Sequence, residues 1–387
     1  MSEGSNWPKG LLYLFQRYRV FIGAAGASIG VVIGIYSDEA RKVIEWMWAY
    51  VTVGSLMIPI FSAALLCIAT WQVRGVMDRR KKGNCSILSR SFDIHMDDFE
   101  DDLPEDEAVI GRELHYLERA TDSKTLAFLL PGLGLDANDF RPYMNIAREH
   151  TAALTLFGFN TEEARNERYQ PVGLTTHIEL VNGALNSIRR KYPQKKMVLI
   201  GFSIGADIII RLSEFWQTHP ARDPHVAAAL LLDPNVNHSS MIVSGAFATM
   251  NPSDPLAELK EVARIPQNIT EFQNMSEYLY KISKKNLAHL QRHAEDWWDY
   301  WDDDGRYDLF FQRIARLHST CPKIRVLFSA HYDRHFNEIY ARAKRQNMGQ
   351  IFNLRRDDHF ELLNDRLLAD EVAKIQVDSH LLTPVKG

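Results

Sequence analysis

The stretch KMVLIGFSIGADIIIRLSEFWQTH, residues 196–219, limits the fold more than any other part of the chain. After Lys196 the first residues form a short apolar run bounded by glycine, which reads as a strand buried on both faces. From Ile204 onward the apolar residues take helical spacing and run for several turns. A buried strand passing directly into a helix is the repeating unit of a parallel sheet covered on both sides. At the junction stands Ser203, bracketed by Gly201 and Gly205. It is either a turn residue in a buried crossover or a nucleophile held at a strand end.

The same alternation runs through the C-terminal three quarters of the chain. ELHYLERA and KTLAFLLPG read as strands, DFRPYMNIAREH as a helix, and TAALTLFGF as a strand. THIELVNGALNSIRRKYP is an amphipathic helix with a proline stop. After the serine segment come the strand VAAALLLDP, the strand KIRVLFSA, the helix NEIYARAKRQ, the strand QIFNLRRD and a last helix from Phe360. A long, mostly helical insertion, about 235–320, separates VAAALLLDP from KIRVLFSA and is placed as a cap. The expected class is α/β, a mostly parallel sheet with helices on both faces. The cap carries AEDWWDYWDDDGRYDLFF, Ala294–Phe311. Its aromatics either line an acyl pocket, dock on lipid, or pack the cap onto the core. Its aspartates lack the glycine position of an EF-hand loop, so no metal is expected there.

The N-terminal part is different. Val20–Tyr36 and Trp46–Trp71 carry no charge, and the second has Trp at both ends. A polar loop, SDEARKVIE, joins them. The lengths and flanks predict a two-helix transmembrane hairpin over residues 1–83, with spans at about 20–36 and 46–71. Cleavage of the first run as a signal peptide is the rival reading, opposed by the long second run. Lys9, Arg17 and Arg19 precede the hairpin, and Arg74, Arg79, Arg80, Lys81 and Lys82 follow it. Only Arg41 and Lys42 lie in the loop, so both ends are expected on the cytoplasmic side. Gly26, Gly30 and Gly34 share one face of the first span, a packing face for the second span or for another copy of the chain. Residues 84–110, with DDFEDDLPEDE, read as an acidic linker, and 111–387 as the α/β domain.

Composition excludes some classes. Lys+Arg number 45 against 49 Asp+Glu, so no basic excess points to nucleic acid. The three cysteines, Cys67, Cys85 and Cys321, have no paired spacing, which argues against a disulfide framework and a cysteine zinc site. The Asn-x-Ser/Thr triplets would be silent on a cytoplasmic domain.

In an open parallel sheet, ligands bind beyond the carboxyl ends of the strands. Ser203 sits at such an end, and the helix opening at Ile204 aims backbone N–H groups at developing negative charge. LLPGLG, Leu129–Gly134, closes an earlier strand with a glycine-rich turn that offers a second oxyanion donor, the N–H of Leu133, beside that of Ile204. Asp333 follows KIRVLFSA, and His359 follows the last strand. His331 and His335 also lie near a strand end, but before the position expected for a base. The order Ser, Asp, His suits this arrangement.

On these residues the region from about Arg112 resembles the α/β-hydrolase superfamily. The resemblance implies Ser203 as nucleophile, His359 as general base and then acid, and Asp333 as the group orienting the imidazole. Asp233, at the end of VAAALLLDP, is the alternative acid, because some lipases of the superfamily place it there. One departure is Pro131-Gly132 where many relatives have His-Gly, tolerable because the donor is a backbone N–H. The implied activity is cleavage of a carboxylic ester or lipid acyl bond through an acyl-enzyme, with no cofactor or metal. The alternatives are an acyltransferase or thioesterase using the same triad, and a binding protein that keeps the fold without turnover.

Overall fold

A computed structural model describes residues 86–99, 109–160, 170–251, 254, 260, 262–301 and 307–380. The expected hairpin, with Gly26, Gly30 and Gly34, lies outside the described residues. Among the described residues no helix is long and apolar enough to cross a membrane. The chain divides into two units, Met1–Asn84 and Cys85–Gly387. The second carries the whole described sheet.

That sheet has eight strands: β1 (Leu88–Asp93), β2 (Glu113–Arg119), β3 (Thr125–Leu130), β4 (His150–Leu154), β5 (Lys196–Phe202), β6 (Val226–Leu232), β7 (Ile324–Phe328) and β8 (Phe352–Leu354). Their spatial order is β1-β2-β4-β3-β5-β6-β7-β8. The pairs from β4 to β8 are parallel, while β2 runs antiparallel to both of its neighbours. The inner strands are buried along nearly their whole length. This is why they read as continuous apolar runs rather than alternating ones.

The helices are α1 (Arg141–Ile146), α2 (Leu174–Lys191), α3 (Ile204–Thr218), α4 (Ile242–Ala248), α5 (Ile269–Ile282), α6 (Leu287–Tyr300), α7 (Asp308–Thr320), α8 (Asp333–Arg345) and α9 (Asp365–His380). α2 and α7 flank α3, and α9 packs on α1. Helices α4 to α6 form the cap expected in the insertion. α7, its last helix, instead packs against α3 and turns Phe310 toward Phe328 and Phe352, with ring centroids 6.3 and 6.0 Å away. The aromatic run packs the interior: Trp297, Trp301, Tyr307, Phe310 and Phe311 are all buried.

Two expectations need correction. The domain does not begin at residue 111, because β1 lies inside the supposed linker and pairs with β2 from Leu88↔Glu118 to Asp93↔Glu113. Its sequence, LSRSFD, is exposed at every position but Phe92. An edge strand that buries so little has no apolar periodicity to betray it. Phe92 holds it down by stacking on Tyr116 at 4.2 Å between centroids. The second correction concerns the end of β7. The chain there turns through residues 330–332 and enters α8, whose first turn carries Asp333, exposed to solvent. Asp333 therefore stands off the strand ends where the acid was expected.

The cap is seated by backbone without side chains. Gly134 has φ +69°, and a Cβ there would lie 2.7 Å from Ile282 of α5 and from Leu290 of α6. Gly158, at φ +81°, makes room for the ring of His289, which a Cβ would meet at 1.9 Å. Behind it His293 of α6 meets His177 of α2 edge-on, 4.6 Å between centroids. Burial, then the neighbouring His289, pushes His293 down to about 3, so this junction is neutral.

At the opposite end of the sheet, Glu118 of β2 is buried yet charged. It accepts from Lys191 Nζ (2.9 Å) and Tyr192 Oη (2.6 Å) and pairs with His150 Nε2 (3.2 Å). Burial alone would raise its pKa, but these hydrogen bonds and the Lys191 charge together hold it at about 2. A carboxylate depressed from 4.5 to about 2 stabilises the fold fully above pH 4.5, and that contribution is lost as pH falls toward 2. Glu118→Gln is therefore expected to lower stability by about 1–2 kcal/mol at pH 7. The gap between wild type and variant, followed by urea denaturation, is expected to close as pH is lowered from 4.5 toward 2. A gap constant across that range would refute the assignment.

Candidate functional site

The site begins with a backbone that leaves no room for side chains. A Cβ on Gly201 would lie 2.3 Å from the Gly205 carbonyl oxygen, and one on Gly205 would lie 2.2 Å from that of Leu130. With both positions bare, β5 passes into α3 in a single residue. Ser203 takes φ 52° and ψ −124°, a conformation that side-chain-bearing residues rarely adopt. Strain of this sort is worth about 1–3 kcal/mol and persists only where the surroundings enforce it. Here the Ser203 N–H donates to the Leu232 carbonyl at 2.8 Å, fixing the turn to the neighbouring strand β6. The hydroxyl-bearing residue stays half-buried beside the first N–H groups of α3, which have no intrahelical partner.

Next along the sheet, Asp233 is the first residue beyond β6. It also has a positive φ, 52°, and its N–H donates to the Leu327 carbonyl of β7 at 2.8 Å. Its carboxylate accepts three hydrogen bonds. The Ser329 N–H reaches Oδ1 at 2.7 Å, while the Ser329 hydroxyl and His359 Nδ1 both reach Oδ2 at 2.6 Å. Because the carboxylate only accepts, Nδ1 carries the proton and Nε2 is left as the acceptor. The acid that orients His359 is thus Asp233, the alternative in the sequence, and not Asp333. The physical reason is position: Asp233 is the first residue beyond β6, whereas Asp333 lies five residues past Phe328, in the exposed first turn of α8.

His359 is held from both sides. Asp358 and Glu361 exchange hydrogen bonds between side chain and N–H, 2.8 and 2.7 Å, closing a box around the histidine. Its ring lies 4.6 Å from that of Phe202, the residue before the serine. The loop is tied back to β7 by Arg355 N–H to the Phe328 carbonyl and Ala330 N–H to the Asp357 carbonyl.

Leu133, the expected second oxyanion donor, follows β3 in the turn closed by Leu135 N–H to the Gly132 carbonyl, 3.1 Å. A Cβ on Gly132 would lie 3.2 Å from Ser203 Cβ, so the turn passes directly over the serine. Ser203, Asp233, His359, Leu133, Tyr332 and His331 all line one cavity of about 70 Å3. Ile204, the first residue of α3, follows the serine and is itself buried.

Sequence reasoning missed several residues that build this site. Ser329, the first residue beyond β7, supplies two of the three hydrogen bonds to Asp233. Asp207, on the first turn of α3, accepts from the N–H of Asn235 (3.0 Å) and from its side-chain amide. It thereby ties α3 to the loop that carries Asp233. Burial pushes the Asp207 carboxyl up to about 8, although the Asn235 donors, the Trp301 indole and the Arg313 guanidinium pull the other way. Burial thus disfavours its charged form, and the group serves to lock α3 to that loop. Its one visible signal is an aspartate inside the otherwise apolar run GADIII. His335 has a different task, its Nδ1 lying 2.6 Å from the Tyr307 hydroxyl. No group of His, Cys, Asp and Glu among the described residues is arranged to hold a metal.

No family model and no curated protein matches the chain. Solved structures do. An AqdC variant that cleaves the ring of the Pseudomonas quinolone signal aligns with a TM-score of 0.53 at 14% identity, covering 75% of this chain and 100% of that one. 1H-3-hydroxy-4-oxoquinoline 2,4-dioxygenase gives 0.53 at 14% identity, over 74% of this chain and 99% of its own. A membrane phospholipase A, a bacterial virulence factor, covers 85% of this chain and 97% of its own at a TM-score of 0.47 and 13% identity. Likeness at such identities is likeness of fold, and the mostly parallel eight-stranded sheet with helices is an α/β fold consistent with that of the α/β-hydrolases.

Proposed function

We propose that this protein is a membrane-tethered serine hydrolase that cleaves a carboxylic ester with an apolar acyl group. The observation that carries this reading is the Asp233–His359 hydrogen bond in the cavity that also holds the strained Ser203. A serine hydroxyl is a poor nucleophile until a base takes its proton during attack. His359 Nε2 is the acceptor for that proton, and Asp233 stabilises the imidazolium that forms. The tetrahedral oxyanion is received by the N–H groups of Leu133 and Ile204. The imidazolium then protonates the leaving alcohol, and water attacks the acyl-enzyme by the same steps in reverse.

A fluorophosphonate probe tests the assignment. Wild type labels, and Ser203→Ala does not while keeping its melting temperature. Asp233→Asn is expected to slow labelling and turnover by roughly 10³–10⁴-fold, because it favours the wrong tautomer. Asp333→Asn stays within about twofold. Reversal of the two aspartate results, or labelling of Ser203→Ala at the wild-type rate, would reject this chemistry.

The acyl side of the substrate is read from the lining. Leu135, Ile242, Val243, Ile265 and Met275 give the cavity apolar walls. Its 70 Å3 holds only a handful of waters, so a long chain fits only if the cap residues Ile242 to Met275 give way. Each methylene buried is worth about 0.8 kcal/mol. In an ester series of rising acyl length, kcat/KM is expected to climb with each added carbon and then to level off where the closed cavity is full. Deleting the first 84 residues leaves the climb intact on soluble esters and removes activity on bilayer lipid. A series with no dependence on acyl length would overturn the apolar-acyl reading.

The tether is inferred from the two uncharged runs, 20–36 and 46–71, and their basic flanks. Holding the domain at a bilayer raises the local concentration of membrane-partitioned esters. With the positive flanks inside, protease added to right-side-out vesicles should leave the domain intact, and digestion after detergent should destroy it. Digestion without detergent would place the domain on the other face.

A further inference from the structure

Helix α5 of the cap touches both of the loops whose relative placement sets the proposed chemistry. The buried Tyr278 hydroxyl donates to the Leu133 carbonyl at 3.0 Å. The ring of the same tyrosine packs on Phe360, next to His359, at 5.1 Å between centroids. One turn earlier, Asn274 donates through Nδ2 to Asp358 Oδ2 at 2.7 Å, on the other side of His359. α5 is also clamped along the Leu133 loop. Lys281 reaches Asp139 at 2.8 Å, Lys285, just past the helix, reaches Asp136 at 2.6 Å, and Ile282 fills the space over Gly134. Asp136 and Asp139 in turn close the capping box of the short turn that follows the loop.

We propose that α5 is a strut that sets the oxyanion donor against the base, with Tyr278 as the positioning residue for Leu133 and Asn274 for the His359 loop. This rests on the reading of Ser203 as nucleophile and Leu133 N–H as oxyanion donor. Fixing the Leu133 carbonyl fixes the peptide plane after that residue, while Leu135 N–H to Gly132 fixes the turn before it. Between the two, the direction of the Leu133 N–H has little freedom. Such precision matters because a displacement of about 1 Å in an active-site group can cost roughly 10²-fold in rate. Tyr278 suits the task. Burial, reinforced by the nearby Asp139 charge, drives its pKa well up, so its hydroxyl remains a donor at every working pH. The geometry couples the cap to catalysis: a cap that lifts away releases the oxyanion loop and the histidine loop together.

The test compares Tyr278→Phe and Tyr278→Leu in the full-length protein. Tyr278→Phe keeps the ring on Phe360 and deletes only the hydrogen bond. It is expected to lower kcat by roughly 10-fold, less than outright loss of an oxyanion donor. KM should stay within about twofold, and the melting temperature should fall by no more than about 2–4 °C, the effect of one lost hydrogen bond. Affinity for a boronic acid transition-state analogue should fall in the same proportion as kcat. The pH at which kcat/KM reaches half its plateau should be unchanged, because the Asp233–His359 pair is intact. If Tyr278 serves only as packing, Tyr278→Phe matches wild type and only Tyr278→Leu is impaired, and the strut is rejected. A loss confined to KM rejects it equally. Wild type that labels with fluorophosphonate while Tyr278→Phe labels at the same rate removes this inference alone. Wild type that fails to label removes the parent reading, and this one with it.

Discussion

Three strand ends meet on the carboxylate of Asp233. It accepts from the backbone and hydroxyl of Ser329 at the end of β7 and from the imidazole of His359 beyond β8, while its own backbone continues β6. Burial of a carboxylate is tolerable only when its lone pairs are filled. Here the filling is supplied by the same neighbours that the sheet order places side by side. Parallel pairing from β5 to β8 brings the carboxyl ends of the strands to one rim. Removing any of the carboxylate's three donors would leave a buried anion short of a partner, which costs more than the lost bond itself.

Much of this was legible in the residues. The inner strands announce themselves as apolar runs because both of their faces are covered, and GFSIG announces its turn because no other residues fit the 2.2 and 2.3 Å approaches of backbone. What the residues did not decide was which aspartate reaches His359. Asp233 and Asp333 both follow apolar strands, and chain order permits either. The difference arises from how far each chain travels before turning: one residue beyond Leu232, against a turn and a helix start beyond Phe328. That distance is a property of tertiary structure and leaves no mark in local composition. β1 escaped notice for the opposite reason, since an exposed strand with one partner follows no apolar pattern.

The fold does not by itself choose the reaction. Structures that align with this one at a TM-score of 0.53 include one that cleaves the ring of the Pseudomonas quinolone signal and a 1H-3-hydroxy-4-oxoquinoline 2,4-dioxygenase. What argues for ester cleavage lies in the site: a serine forced to a strained turn, an imidazole held in one tautomer, and backbone donors beside the hydroxyl-bearing residue. Asp207 fits the same logic. Its carboxyl accepts from both the backbone and the side chain of Asn235 and so braces α3 against the Asp233 loop, where burial disfavours a second negative charge.

The two borders of the sheet bear on how copies of the chain behave in company. β1 presents LSRSFD, with Arg90 reaching back to Glu118 at 3.5 Å, and β8 is three residues long. An open strand edge is a template on which another chain can add itself, and long, flat, apolar edges are the hazardous ones. Neither border is of that kind: one is polar and charged, the other too brief to register a foreign strand. At high local concentration, as when many copies share a surface, these borders discourage the domains from zipping sheet to sheet into aggregates.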